Sequence, residues 1–165
     1  MTARKFSARG VAVAAIVSVG LLSGCTATGW VAEAPPAAGV QAQTEALQKA
    51  RNIMFVVDDS GEGVLLGAIS SVDPAKVTGI RYTPQLPDGS AGSEDSIDFT
   101  ADLPINGAVT LGGPDLVVSN DELTPGRLAD VTIEFEGAAP LSLKVPVYSA
   151  EHEDYAQAWS DAVEG

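Results

Sequence analysis

Two stretches near the C-terminus, Val131-Thr-Ile-Glu-Phe-Glu136 and Leu141-Ser-Leu-Lys-Val-Pro-Val147, alternate apolar and polar residues with a strict period of two. In a strand this puts Val131, Ile133 and Phe135, then Leu141, Leu143, Val145 and Val147, each on one side, whereas a helix would scatter them. Gly137-Ala-Ala-Pro140 reads as the hairpin connection between the two. Pro146 has no amide donor, so its strand must lie at an edge or leave that N–H side unpaired. Upstream, residues 52–57, 63–69, 77–83, 96–101, 107–111 and 116–119 are short apolar runs broken by turn residues, Asp58-Asp59-Ser60-Gly61 most clearly. No apolar run has helical spacing until the last dozen residues, which excludes a βαβ fold. About seven or eight short strands with frequent Gly and Pro predict an all-β sandwich or small barrel.

The N-terminus follows different rules. Arg4, Lys5 and Arg9 precede a nearly unbroken apolar stretch over residues 11–22, the layout of a signal peptide. It falls short of the ~20 apolar residues that a membrane-spanning helix needs. Leu22-Ser23-Gly24-Cys25 closes the stretch and resembles a bacterial lipobox. The resemblance implies cleavage between Gly24 and Cys25 and a diacylglycerol, with acyl chains such as palmitate, on the Cys25 sulfur. Cys25 is the only cysteine, so no disulfide can form within the chain. Lipid on Cys25 would hold the protein on the extracytoplasmic face of the cell membrane, and two acyl chains anchor far more firmly than one. The expected organisation is a signal peptide over 1–24, a lipidated cysteine and flexible tether over 25–44, a β-sandwich over 45–149 and an amphipathic tail over 150–165. The tether contains Pro35-Pro36 and little core material, with Trp30 and Val31 expected at the lipid interface.

Beyond residue 24 the chain holds six basic and 22 acidic residues, a net charge of −16. Nucleic acid is excluded as a partner, because its binders concentrate Lys and Arg against phosphate. An anionic lipid surface would repel the domain.

Leu123-Thr-Pro-Gly126, Val131-Thr-Ile-Glu-Phe-Glu136 and Leu143-Lys-Val-Pro-Val147, with Gly112-Gly113 upstream, resemble the C-terminal half of the periplasmic copper chaperones of the PCu(A)C family. The resemblance implies a cupredoxin-like Greek-key β-sandwich. Behind its lipobox and Ala-rich tether, with Arg51-Asn52 leading into the first strand, the chain is also similar to actinobacterial lipoproteins of the LpqE type. The copper ligands do not carry over. Where the family has His and Met after Gly-Gly, this chain has Asp115 and Val117, and Arg81 or Tyr82 stands at the earlier ligand position. Cu(I) prefers sulfur and imidazole to carboxylate. Beyond Cys25, the soft ligands are Met54, within an apolar run, and His152. The expectation is no cofactor, with copper unlike the donor set and no confident metal residue.

Catalytic chemistry finds little support. His152 is the lone imidazole and lies among Glu151, Glu153 and Asp154, as a solvated side chain does. Gly61-Glu-Gly63-Val-Leu-Leu-Gly67 has the wrong final spacing for a dinucleotide loop and reads as a turn leading into a strand. Two oxygen-rich loops could attract Ca²⁺, one with Asp58, Asp59 and Glu62, the other with Asp88, Ser93, Glu94, Asp95 and Asp98, but neither has helix-loop-helix spacing. In the tail, Tyr155, Ala158, Trp159 and Ala162 fall on one helical face, suited to packing on the sandwich or to docking a partner. The sequence therefore predicts a non-enzymatic, lipid-anchored binding or accessory module for an envelope protein. Its candidate contact surface comprises Tyr155, Trp159, Asp95 and Asp98. The alternatives are a copper or other metal chaperone and, third, a Ca²⁺-binding surface domain.

Overall fold

Ten strands carry the chain through two packed sheets. In the computed structural model, which describes residues 38–164, these are β1 (Val40–Gln43), β2 (Lys49–Val57), β3 (Glu62–Ser70), β4 (Ala75–Pro84), β5 (Asp95–Ile97), β6 (Ala101–Leu103), β7 (Ala108–Leu111), β8 (Val117–Ser119), β9 (Leu128–Phe135) and β10 (Leu141–Ser149). A 3-10 turn, Pro114–Leu116, separates β7 from β8, and one helix, α1 (Ala156–Val163), ends the chain. The expected signal peptide, Cys25, Trp30 and Val31 lie outside the described residues. Among the described residues no helix is long and apolar enough to cross a membrane.

One sheet has β2 and β3 at its centre and the other has β4 and β9. Short strands fill each edge in pairs: β7 and β8 share one edge of β3, and β5 and β6 share one edge of β4. Strand β10 joins the sheets. Residues 141–146 pair antiparallel with β9, and Val147, Tyr148 and Ser149 pair parallel with Phe55, Val56 and Val57 of β2. The result is a nearly closed β-sandwich with Greek-key crossings, as the sequence predicts.

The alternation appears as core. Ala129, Val131, Ile133 and Phe135 of β9, and Leu141, Leu143, Val145 and Val147 of β10, are all buried. Pro146 sits where β10 changes partners. The Val147 amide donates to Arg127 O at 3.0 Å, so the nitrogen of Pro146 faces the other side, just before pairing with β2 begins at Val147. In the upper half of β2 and β3, consecutive residues Val56, Val57, Val64 and Leu65 are all fully buried. Both faces of that sheet are therefore covered. Helix α1, which packs on β3, supplies the outer cover.

Three boundaries differ from the sequence reading. Residues 40–43, expected as tether, form β1 and pair with β2, so the sandwich begins before residue 45. The pairing depends on a bulge in β2 at Asn52 (φ 54°), and the bulge fits only because glycines flank it. A Cβ on Gly39 would stand 2.3 Å from the Asn52 carbonyl carbon, and one on Gly67 2.6 Å from Ile53 Cδ1. The single strand expected over 96–101 is split into β5 and β6, because residues 98–100 face only Thr78 and Gly79 of β4. The tail is helical only from Ala156, and residues 150–155 are turns.

The acidic loop end as candidate functional site

Strand direction sorts the connections into two groups. The loops 58–61, 85–94 and 120–127, together with the tail, gather at one end, and the loops 44–48, 71–74, 104–107 and 136–140 gather at the other. The first group holds most of the residues singled out by the sequence.

Its carboxylates act mainly on their own loops. Asp58 Oδ1 accepts the Ser60 amide and hydroxyl, each at 2.8 Å, and the Glu62 amide at 3.0 Å. Asp88 Oδ1 accepts the Ser90 amide at 2.9 Å and its hydroxyl at 2.6 Å. The serine hydroxyl is the main cause holding each carboxyl below the usual carboxylate value. Glu122 Oε2 accepts the Ser93 amide at 2.7 Å, tying the third loop to the second, and Arg127 Nη1 donates to Pro87 O at 3.0 Å. The Asp58 and Asp88 contacts are side-chain turns that order a loop without forming a helix or strand, and the Glu122 and Arg127 bonds link one loop to another.

Beneath the loops lies Tyr82, 1% exposed and tilted against Phe55 at 5.1 Å. Its hydroxyl donates to Asp95 Oδ2 at 3.1 Å and accepts from Asn120 Nδ2 at 3.5 Å. Burial, aided by the Asp95 charge and opposed by the Asn120 bond, pushes the phenol up to about 12. Asp95, expected as a contact residue, is exposed and also braces the core through Tyr82, and Asp98 is exposed between β5 and β6. Neighbouring Arg81 is paired with Glu134 at 3.0 Å and Glu94 at 3.2 Å. The sequence hides the role of Tyr82, although its two-residue spacing from Ile80 marks it as inward-facing.

The aromatic tail packs on the sandwich. Trp159 Nε1 donates to Glu62 O at 3.0 Å, Ala162 is buried, and Tyr155 lies 4.9 Å from the ring of Tyr148. Tyr148, not singled out by the sequence, also donates its hydroxyl to Ala38 O at 2.8 Å, so one ring holds both the tail and the start of the described chain. Asp95 and Asp98 belong to the other sheet, and the structure does not join them to Tyr155 and Trp159 in one cluster.

The positions implied for copper fit Cu(I) poorly. Helix α1 packs on the 3-10 turn that carries Asp115, Val117 is in the ladder opposite Val64, Arg81 is ion-paired and Tyr82 is hydrogen-bonded. Met54 is buried on β2 at 9% exposure, and His152 lies half-exposed in the turn after β10, its ring 5.2 Å from that of Tyr155. Among the described residues no three His, Cys, Asp or Glu side chains converge as a metal site, the oxygen-rich loops included.

No family model and no curated protein matches the chain. Solved structures with similarity include a copper-bound PCuAC domain from PmoF2, 16% identical, covering 67% of this chain and 98% of that one with a TM-score of 0.46. The apo form of that PmoF2 domain is 16% identical over 68% and 96%, with a TM-score of 0.45. A third is the solution structure of R. palustris CsgH, 14% identical over 58% and 89%, with a TM-score of 0.34.

Proposed function

We propose that the chain is a lipid-anchored extracytoplasmic module that binds an envelope protein through its acidic loop end and performs no reaction of its own. The lipobox at Cys25 supports the anchor. The observation that carries the binding role is the hydrogen bonding of Asp58 and Asp88 within their own loops and of Glu122 to the Ser93 amide of the neighbouring loop. Loops ordered before contact give up less conformational freedom on binding. Asp59, Asp121, Glu151 and Glu153 are left exposed on this scaffold. A basic face on the partner would complement them, and rim charges of this kind act most on the rate of association.

The test is crosslinking in intact membranes, with Cys25→Ser and an Asp59→Lys/Asp121→Lys chain beside the parent. Labelled palmitate should enter the parent but not the Cys25→Ser chain. Recovery of the crosslinked partner should fall at least tenfold with the two lysines. Equal recovery would remove the loop end as the contact surface. Submicromolar Cu(I) affinity in competition with a chelator would replace the whole reading with metal carriage.

A further inference from the structure

The opposite end of the sandwich is built differently. Of the four large apolar side chains exposed among the described residues, Leu47 (40%), Val72 (38%) and Ile105 (67%) stand on three of its loops. The loops abut: Asn106 N donates to Val72 O and Ser71 N to Gly107 O, both at 3.0 Å. The fourth loop, 136–140, faces Ala42–Ala46 across an open groove of about 570 Å³ walled by small side chains and by polar ones such as Gln43 and Glu45. Leu47 is held at φ 64°, a left-handed backbone that leucine rarely adopts. The turn thus carries backbone strain and an exposed apolar side chain together, and neither feature aids folding.

We infer that this tip rests in a lipid bilayer, with Leu47, Val72 and Ile105 entering the acyl boundary while the acidic loops face away. The occupant is chosen by chemistry. The large apolar groups exposed on these loops are Leu, Val and Ile, and Leu and Val are poor anchors of protein interfaces, whereas aliphatic side chains partition into acyl chains without a matching pocket. Three separate protruding aliphatic side chains suit a fluid phase that needs no matching pocket. Lys49 and Lys76 begin the strands leaving the tip, where their stems can lie along apolar surface and their ammonium groups reach lipid headgroups. Glu45, Asp73 and Glu136 on the same loops favour zwitterionic over anionic lipid.

Chain length permits this orientation. The inference rests on the anchored reading, in which twelve residues lie between Cys25 and Ala38, and the thirteen Cα–Cα steps can span up to about 45 Å. Ala38 lies five residues before the end of β1, roughly 17 Å of strand from the tip. The anchor therefore lets the tip touch the membrane surface.

The test uses the full lipidated chain in phosphatidylcholine vesicles containing brominated lipid. Ile105→Trp reports from the tip and Asp59→Trp from the acidic end, over the same Trp30 and Trp159 background. Quenching of the added fluorescence should be at least threefold greater at position 105 than at 59. Adding Leu47→Asp and Val72→Asp should bring the position-105 signal down to the level at 59, with circular dichroism unchanged. Equal quenching at both positions in an acylated chain overturns the tip proposal. So does a blue shift at 105 that follows protein concentration without vesicles, which would assign the tip to a second copy. Mass spectrometry of the same sample reads acylation separately, so a bare Cys25 overturns the anchored reading and is not confused with failure of the tip.

Discussion

At the acidic end of the sandwich Asp58, Asp88, Asn120 and Glu122 bond to backbone amides of the loops, whereas at the other end Ile105 stands largely exposed and Leu47 and Val72 each keep more than a third of their surface in water. Sequence made the first end look functional because charge is conspicuous. Much of that charge proves to be loop architecture, and the second end holds the groups that folding does not use. An acidic side chain is solvated wherever it sits, so its position says little, but an aliphatic side chain kept in water requires a reason.

The contrast can be broken most sharply by truncation. Tyr82→Ala removes a buried ring and should cost about 3–5 kcal/mol in urea unfolding, the usual range for a large core aromatic. Ile105→Ala at the tip should stay within about 0.5 kcal/mol of the parent. A loss above about 1 kcal/mol at Ile105 would mean that the tip belongs to the core and would erase the distinction.

Titration sharpens the same contrast. Because burial raises the Tyr82 phenol from 10.0 to about 12, the folded chain holds its proton more tightly than the unfolded chain. The resulting stability is fully present below pH 10 and is lost as pH rises from 10 toward 12, about 2–3 kcal/mol at most. Tyr82→Phe should lose that dependence and also cost about 1 kcal/mol at neutral pH, by leaving Asp95 and Asn120 without the hydroxyl. Unfolding curves for both chains at pH 8, 10 and 11.5 decide it. Parallel alkaline losses in the two chains would show that Tyr82 is not the titrating group.

How much was legible follows from how local each determinant is. The β9–β10 hairpin could be read because alternate residues alone decide which face is buried. Strand β1 could not, since Val40-Gln-Ala-Gln43 has few apolar residues and pairs only where Gly39 and Gly67 make room for the Asn52 bulge. The break between β5 and β6 was hidden for the same reason, because it is set by the register against β4, remote in sequence. At the candidate site, Tyr155 and Trp159 were visible as a helical face but their packing on Tyr148 and Glu62 was not. Asp95 was visible as a charge, and only the fold reveals that Tyr82 lies beneath it.

The smallest expected effect is also the most selective. In the turn between β1 and β2 the Thr44 amide donates to Gln48 O at 2.9 Å and the Leu47 amide to Thr44 O at 3.1 Å, which fixes Leu47 in its left-handed backbone. Asn tolerates that region better than Leu because its short polar side chain bonds locally, and at this position it would also remove an exposed apolar group. Leu47→Asn should therefore stabilise the domain, by about 0.5 kcal/mol, against the general tendency of substitutions to destabilise. Lipid contact at the tip should weaken in the same variant, giving the trade between stability and activity expected where a residue is kept for use. A loss of stability would instead place Leu47 among the residues that hold the hairpin, and the turn would join the acidic loops as architecture.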